Sequence, residues 1–595
     1  WLSEKRDWPV SRQLWWGHQI PVWSIPCETA ADVETATAKV KAIDGFDESI
    51  AAIQIEACEE TDDEKRKLLE LPFATIHVCV QGGHETLEAN LTAAGLVREE
   101  DVLDTWFSSA LWPHSTLGWP EKTAELEHFY PTSTLITSRD IISLWVARMV
   151  LMGLNNCGEV PFNQVYIHPK IQDSYGETMS KSKGNGIDPI DVIQKFGADA
   201  LRFAMARLCT ETQDVRLPLQ FECPHCGEKF DQTKKNRILP VVPCKKCKEP
   251  FSTQWAETEA DKAVTRGAVT GERFEVSRNF TNKLWNASRF AMLNLSGYEA
   301  APISPDDLTV EDRWMLSRLR TVTNRVTELL EQFLYAEATR EMYDFAWDHF
   351  CSFYVEMMKD RFADEAARPH AQRMMAYTLD CLLRMLHPVM PYVTEEIWQN
   401  LAKLCPQRGF ESIAPATESI SIAAWPELDA GWSDESIEGQ FGLFQSALGA
   451  IREIRASQNI GKKEQVNFVV RCQPDVAKSL EPLGRFFGGM AKATMTAIGP
   501  DVETPEINAV LTKGNLEILV DLDGLIDPAA EVKRLEKEIA SLEKSIGGKQ
   551  RQLSNEKFVA AKPELAEEIR GSLKQVEEQI EILRASLEKM KGKLG

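Results

Sequence analysis

The chain has 595 residues, 43% of them hydrophobic, and 67 Lys and Arg against 90 Asp and Glu give it a formal net charge of −23. That length exceeds the roughly 250–300 residues at which a single core stops growing, so several domains are expected. The sequence contains no run of eighteen apolar residues, which gives no membrane-spanning helix, and its acidity argues against nucleic-acid binding by bulk charge while leaving room for a local basic face.

Residues 1–23 are rich in tryptophan and end Trp15-Trp16-Gly17-His18-Gln19-Ile20-Pro21-Val22-Trp23. The chain starts with Trp1 and opens on no signal peptide, so a piece of a longer protein is expected. Residues 24–100 show weak periodicity with acidic, helical patches such as Glu59 to Glu64, and read as a surface insertion without assigned chemistry. From Asp101 the pattern turns α/β. Thr134–Thr137 is predicted as a buried strand, 140–154 as a helix, Gln164–Ile167 as a second strand, and helices follow near 188–195 and 198–207. This grammar belongs to a doubly wound parallel sheet, whose ligands bind at the carboxyl ends of the strands. Ser138-Arg139-Asp140 and the loop Thr178 to Ser182 both fall there.

That loop reads Gly176-Glu177-Thr178-Met179-Ser180-Lys181-Ser182-Lys183-Gly184-Asn185. Hydroxyls, backbone N–H groups and lysines between glycines suit a polyphosphate. Next come Cys223-x2-Cys226 and Cys244-x2-Cys247, four thiols in the arrangement of a closed tetrahedral Zn²⁺ site, structural because no coordination position is left open. The other nine of the thirteen cysteines are scattered, which points to a reducing compartment, the cytoplasm. From about 273 to 400 the chain reads as a helical bundle, with Leu316, Leu319, Val322, Val326, Leu329, Leu330 and Phe333 on one face. Residues 435–525 mix a helix with strands near 465–470 and 516–520. The end is heptad-like. Val532, Leu535, Ile539, Leu542 and Ile546, then Ile569, Leu573, Val576, Ile580, Leu583, Leu587 and Met590, flank a break at 554–563 that contains Pro563, so an antiparallel two-helix coiled coil is expected. This tail, 527–595, is nearly neutral, with fourteen Lys and Arg against thirteen Asp and Glu.

The signature loop resembles the KMSKS motif of class I aminoacyl-tRNA synthetases, with Thr178 in place of the first lysine. Asp101-Val102-Leu103-Asp104-Thr105-Trp106-Phe107-Ser108-Ser109-Ala110-Leu111-Trp112-Pro113, Asp140-Ile141-Ile142 with Trp145-Val146-Ala147-Arg148-Met149, Arg278 to Ala287, and Leu386-His387-Pro388 with Thr394-Glu395-Glu396-Ile397-Trp398 are similar, in order, to segments of valyl-tRNA synthetases. The resemblance covers most of residues 1–23 and 101–595. It implies a multidomain α/β plus all-α protein. Residues 1–23 would return from an editing domain into the catalytic domain, and 24–100 would be an insertion of unknown role. The second half of a Rossmann-like catalytic domain would take 101–216, a zinc ribbon 217–255, and a helical anticodon-binding domain 256–430. A small α+β unit at 431–526 and a coiled-coil tRNA-binding arm at 527–595 would follow.

It also implies chemistry. Trp106, Ile141 and Trp145 would line a valine pocket. Asp140 would accept hydrogen bonds from the ATP ribose, with a helix N-cap as the plainer alternative, and His168, Met179, Ser180, Lys181 and Ser182 would contact ATP. Lys181 would be catalytic, gripping the phosphates as pyrophosphate leaves. ATP with Mg²⁺, structural Zn²⁺, valine and tRNA(Val) are the implied cofactors and partners, with no membrane, and the complete enzyme would be a monomer. Three residues depart from the family: Ser138 and Pro169 where it has glycine, and Thr178. The family's His-x-Gly-His motif is not among the ten histidines, so half the active site is expected here. The alternatives are an isoleucyl-tRNA synthetase, against which Asp104 to Ser109 and the terminal heptads count, or a tRNA-binding protein without ligase activity.

Overall fold

The computed structural model describes residues 7–180, 183–525 and 528–554, together with 570–573, 576, 580, 581, 583, 584, 587, 588 and 591. The chain divides into two compact units, 1–170 and 171–595.

The first unit contains a four-stranded antiparallel sheet in the order Ala51–Ala57, Ala74–Val80, Val22–Cys27, Val97–Arg98. Along Ala74–Val80 every second residue is buried, Ala74, Ile76, Val78 and Val80, as a strand with one covered face requires. Val40 of helix Ala30–Lys41 and Leu87 and Leu91 of helix Glu85–Ala93 cover that face together with Trp23. The acidic run holds one short helix, Asp63–Leu68, whose first N–H groups are accepted by Asp62. Trp23 and Ser24 share a strand, so the sheet takes in the end of the tryptophan-rich segment.

Further along, Thr132–Ser138 and Phe162–His168 run parallel, with Ser138 opposite His168. The connection is three short pieces: a 3-10 turn Arg139–Ile141, a π turn Ile142–Val146 and an α-helix Ala147–Cys157. Gly158, with φ of +77°, ends the helix in the left-handed conformation glycine adopts without strain. Leu135, Val146, Met149 and Phe162 form the core here.

In the second unit, Asp188 caps helix Pro189–Phe196, and Gly197 separates it from helix Ala198–Leu208. A cysteine-bearing insertion follows, built of strands Gln220–Glu222, Lys229–Asp231 and Ala268–Thr270 in one small sheet and Val241–Pro243 with Pro250–Ser252 in another. Helices Glu272–Asn294, Val310–Glu331, Tyr335–Asp344, Val355–Ala363, Arg368–Leu386 and Pro391–Leu404 then pack as a bundle, with a π-helical stretch at Phe345–Tyr354. Leu316, Leu319, Val322, Val326 and Leu329 are buried in its core, as their spacing predicts, whereas Leu330 is only half-buried and Phe333, expected on the same face, lies past the helix end at Glu331. Helix Glu435–Ser457 packs on a sheet ordered Ala493–Gly499, Val466–Arg471, Leu516–Asp521, Asn508–Lys513, in which only the first pair is parallel.

Helix Pro528–Leu553 buries Leu535 and Ile539, and Leu583 and Leu587 pack against the same core. Arg584 pairs with Glu543 at 2.6 Å and Lys591 with Glu536 at 2.9 Å, so these helical residues run antiparallel to 528–553. Ile569, Met590 and residues 555–563 of the expected break lie outside the described residues. Among the described residues no helix is long and apolar enough to cross a membrane.

Candidate functional site

In the first unit, the carboxyl edge of the parallel pair brings two of the expected nucleotide residues together. Ser138 and His168 are register partners, and Asp140 lies two residues past Ser138. Asp140 is exposed and forms an ion pair with Lys170, so its side chain caps no helix; the residue at the cap position of that turn is Ser138. His168 is half-buried, its Nδ1 3.0 Å from the Pro169 carbonyl oxygen.

The three expected pocket residues are half-buried. Trp106 stands at the start of helix Thr105–Ser115, Ile141 closes the 3-10 turn, and Trp145 projects from the π turn. A π turn widens the helix and re-aims its side chains, which is why such turns recur at working sites. Trp145 Nε1 donates to the Ser109 carbonyl at 3.0 Å and so fastens to the helix that carries Trp106. The Arg148 guanidinium lies 4.0 Å from the Trp8 ring centre and 6.0 Å from that of Trp106. What sequence reasoning passed over is Asp104. It is 5% exposed and gathers Trp8 Nε1 at 2.8 Å, Arg12 at 3.0 Å and Arg148 at 3.3 Å. It stands three residues past the acidic run Glu99-Glu100-Asp101, so nothing local singles it out from its more exposed neighbours.

The second unit holds the signature loop. Lys181 and Ser182 lie outside the described residues. Met179 and Ser180 are half-buried, and Met179 packs against the core beneath helix Pro189–Phe196. The loop begins as a tight hairpin: Gln172 bridges to Thr178, Asp173 N donates to the Glu177 carbonyl, and Gly176 turns the chain with φ of +78°. Asn185, 1% exposed, draws the return limb inward. Its Oδ1 accepts from Ser180 N at 2.9 Å, and its Nδ2 donates to Asp173 at 2.9 Å and to the Thr178 carbonyl at 3.3 Å. Asp173 also accepts from the N–H groups of Tyr175 and Glu177. Burial works to raise its carboxyl, but the donors from Asn185, Glu177, Tyr175 and the Arg237 guanidinium hold it below the usual carboxylate range. Neither Asp173 nor Arg237 carries a sequence signal, because their pairing spans 64 residues.

The four cysteines converge. Their sulfurs all lie within 4.8 Å of one another, with Cys223 to Cys247 at 3.7 Å and Cys226 to Cys244 at 3.6 Å. A tetrahedron with metal–sulfur bonds of about 2.3 Å has edges of about 3.8 Å, so this donor set has the size and softness a Zn²⁺ ion takes. The two pairs are matching knuckles. Cys223 N and Cys244 N each donate to the carbonyl five residues on, and Gly227 and Lys248, four residues on from each and at positive φ, donate their N–H to the carbonyl of the same cysteine. Against its burial, the backbone N–H groups of Cys247 and Lys246 and the neighbouring thiols hold Cys244 below the ordinary thiol value, whereas Cys247, despite the N–H of Glu249, is pushed above it by burial and by the thiols beside it.

Residues 1–218 match the family "tRNA synthetases class I (I, L, M and V)", residues 312–470 the "Anticodon-binding domain of tRNA ligase", and residues 527–591 the "Valyl tRNA synthetase tRNA binding arm". The chain is therefore of the class I aminoacyl-tRNA synthetases. It is 51% identical over its whole length to a valine–tRNA ligase of Rhodopirellula baltica, 57% of which it covers. Against valine–tRNA ligases of Syntrophotalea carbinolica and Symbiobacterium thermophilum it is 36% and 34% identical over 99% and 100% of its length, covering 54% and 56% of theirs. Within its class the chain belongs to the valyl-tRNA synthetase family, and it spans about half the length of the curated relatives it matches.

Proposed function

We propose that this chain supplies the C-terminal part of a valine–tRNA ligase, which activates valine with ATP and Mg²⁺ to valyl-adenylate and transfers it to tRNA(Val). The observation that carries this reading is the 51% identity along the entire chain to a valine–tRNA ligase, extending through the tRNA-binding arm. Trp106, Ile141 and Trp145 would wall the amino-acid slot, fastened by the Trp145–Ser109 hydrogen bond. Asp140 and His168, at one strand edge, would hold the adenosine. Met179, Ser180, Lys181 and Ser182 would meet the phosphates. As the valine carboxylate attacks the α-phosphate, charge grows on the departing pyrophosphate, and a lysine whose contact tightens only then lowers the barrier rather than the ground state.

The four cysteines would hold one structural Zn²⁺, folding residues 217–255 into a ribbon, and the helices around 528–591 would form an antiparallel coiled coil that steadies tRNA. The bundle from 256 to 430 would bind the anticodon arm. The test is valine-dependent pyrophosphate exchange by the full-length native enzyme, with isoleucine in parallel. Lys181→Ala is expected to slow exchange by about 10²-fold or more while valine affinity changes little. Equal losses in both would remove the transition-state role, and no exchange by the unaltered enzyme would leave a tRNA-binding protein. Metal analysis of protein prepared without chelator should return one Zn²⁺ per chain, and a chain free of metal would remove the ribbon.

A further inference from the structure

The residues between the two cysteine pairs do more than space them. From Gln232 to Pro240 the chain is tied at each end: Gln232 N donates to the Leu219 carbonyl, and Thr253 donates through N to the Pro240 carbonyl and through Oγ1 to that of Leu239. The turn at Thr233 to Arg237 projects Arg237, 7% exposed, onto the signature loop. There its guanidinium bridges two carboxylates, Asp173 at 2.5 Å and Glu177 at 3.0 Å, and Lys234 reaches Glu177 at 2.6 Å. The next residue, Ile238, rests on Gly184. That glycine has φ of +62°, and a Cβ there would collide with the Ile238 side chain. On the far limb, Gln254 donates to the Gly186 carbonyl at 2.6 Å and accepts from Asp188 N at 2.9 Å.

The geometry points to the cysteine-bearing insertion as a brace for the signature loop, with Arg237 as the positioning residue; its catalytic consequence rests on the loop's proposed part in valine activation. The relay is continuous. Arg237 fixes Asp173, Asp173 accepts from Asn185, and Asn185 accepts from the N–H of Ser180. Both carboxylates that Arg237 grips belong to the hairpin limb, while Ile238 and Gln254 hold the return limb. Arg237 is buried and its terminal nitrogens are committed to the loop, so it acts through the loop rather than on substrate. A loop that must meet leaving phosphates to within a fraction of an ångström loses rate when its support shifts, by about 10²-fold for a displacement of 1 Å.

The experiment uses full-length native enzyme, Arg237→Ala and Arg237→Lys, with amide hydrogen exchange and pyrophosphate exchange read on the same preparations. Arg237→Ala is expected to speed amide exchange across 172–188 by at least about tenfold, leaving helix 310–331 at the wild-type rate. It should lower kcat for pyrophosphate exchange by about 10- to 100-fold with the KM for ATP within about twofold. Arg237→Lys keeps the charge but not the two-carboxylate span, and should fall between. If Arg237→Ala fails to fold, Glu177→Gln removes one arm of the bridge at a half-exposed position and should change both readouts in the same direction. Unchanged loop exchange in a folded variant overturns the brace, as does acceleration spread equally through the bundle. Should the unaltered enzyme activate no valine, loop protection alone decides the matter, so the two readings fail separately.

Discussion

Asp104 shows how one buried carboxylate organises an aromatic site. Two arginines and an indole N–H converge on it, and one of those arginines, Arg148, lies against Trp8 and Trp106. Removing one partner of a buried charge cluster strands the rest, at a cost of about 3–5 kcal/mol. Asp104→Ala is therefore expected to lower unfolding stability by that order, while Asp104→Asn, which still accepts one hydrogen bond, should lose less; denaturant unfolding of the full-length protein measures both. A different trio invites over-reading. Ser24, His77 and Glu56 stand in series at 2.8 Å and 3.0 Å, the order of a nucleophilic triad. They are neighbours across adjacent strands of a sheet, and Ser24 lies in a strand paired on both sides. An acyl-transfer site needs N–H donors free to meet an oxyanion, and a paired strand has spent its own. The trio is a cross-strand ladder.

Among the elements, the bundle helices were the most legible, since Leu316 to Leu329 repeat at helical spacing and a helix needs little more than that to be found. The strands around the nucleotide edge were legible as well, though the structure lengthens them to Thr132–Ser138 and Phe162–His168 and leaves Ile136 exposed, so the first is covered on one face rather than buried on both. The sheet at 22–98 was not, although Ala74–Val80 alternates cleanly. Its edge strand, Ala51–Ala57, alternates in sequence only over Ile53-Gln54-Ile55-Glu56 and buries only Ala51, too short a pattern to stand out beside the acidic patches that follow it. The candidate site was half legible. Motif residues announce themselves, but Asp104, Asn185 and Arg237 are set by tertiary pairing, and no local pattern encodes a partner 64 residues away. The π stretch Phe345–Tyr354 carries a titration of its own. His349 packs edge-on to Trp314, and burial lowers its pKa to about 4. An unfolded chain protonates this group near about 6.5, so the unfolded state binds the extra proton first and stability falls as pH drops from about 6.5 through 4, with no loss above 6.5. His349→Gln should shrink that fall, which paired thermal unfolding curves between pH 7 and 4 would reveal; parallel curves would remove His349 as the cause.

At the scale of the whole molecule, charge and architecture are distributed unevenly. The chain carries a net charge of −23, yet the tail from 527 is nearly neutral. Between the cysteine pairs, Lys234, Lys235 and Arg237 stand together, and Lys245, Lys246 and Lys248 follow on the second knuckle, so the insertion is a basic island in an acidic body. Its segment from 233 to 237 is joined to the signature loop through buried and half-buried ion pairs. The insertion is therefore part of the loop's support, continuous with it in one unit.

The pairing of the terminal helices has a consequence for how such an arm can change in length. Glu536 and Glu543 are seven residues apart, and so are their partners Lys591 and Arg584, in the opposite sense. Cutting residues from one helix alone would slide every remaining pair out of step and turn Leu583 and Leu587 away from the core they touch. An arm of this kind can be trimmed or extended only by matched amounts on both sides, and most smoothly by sevens, so its reach comes in discrete sizes.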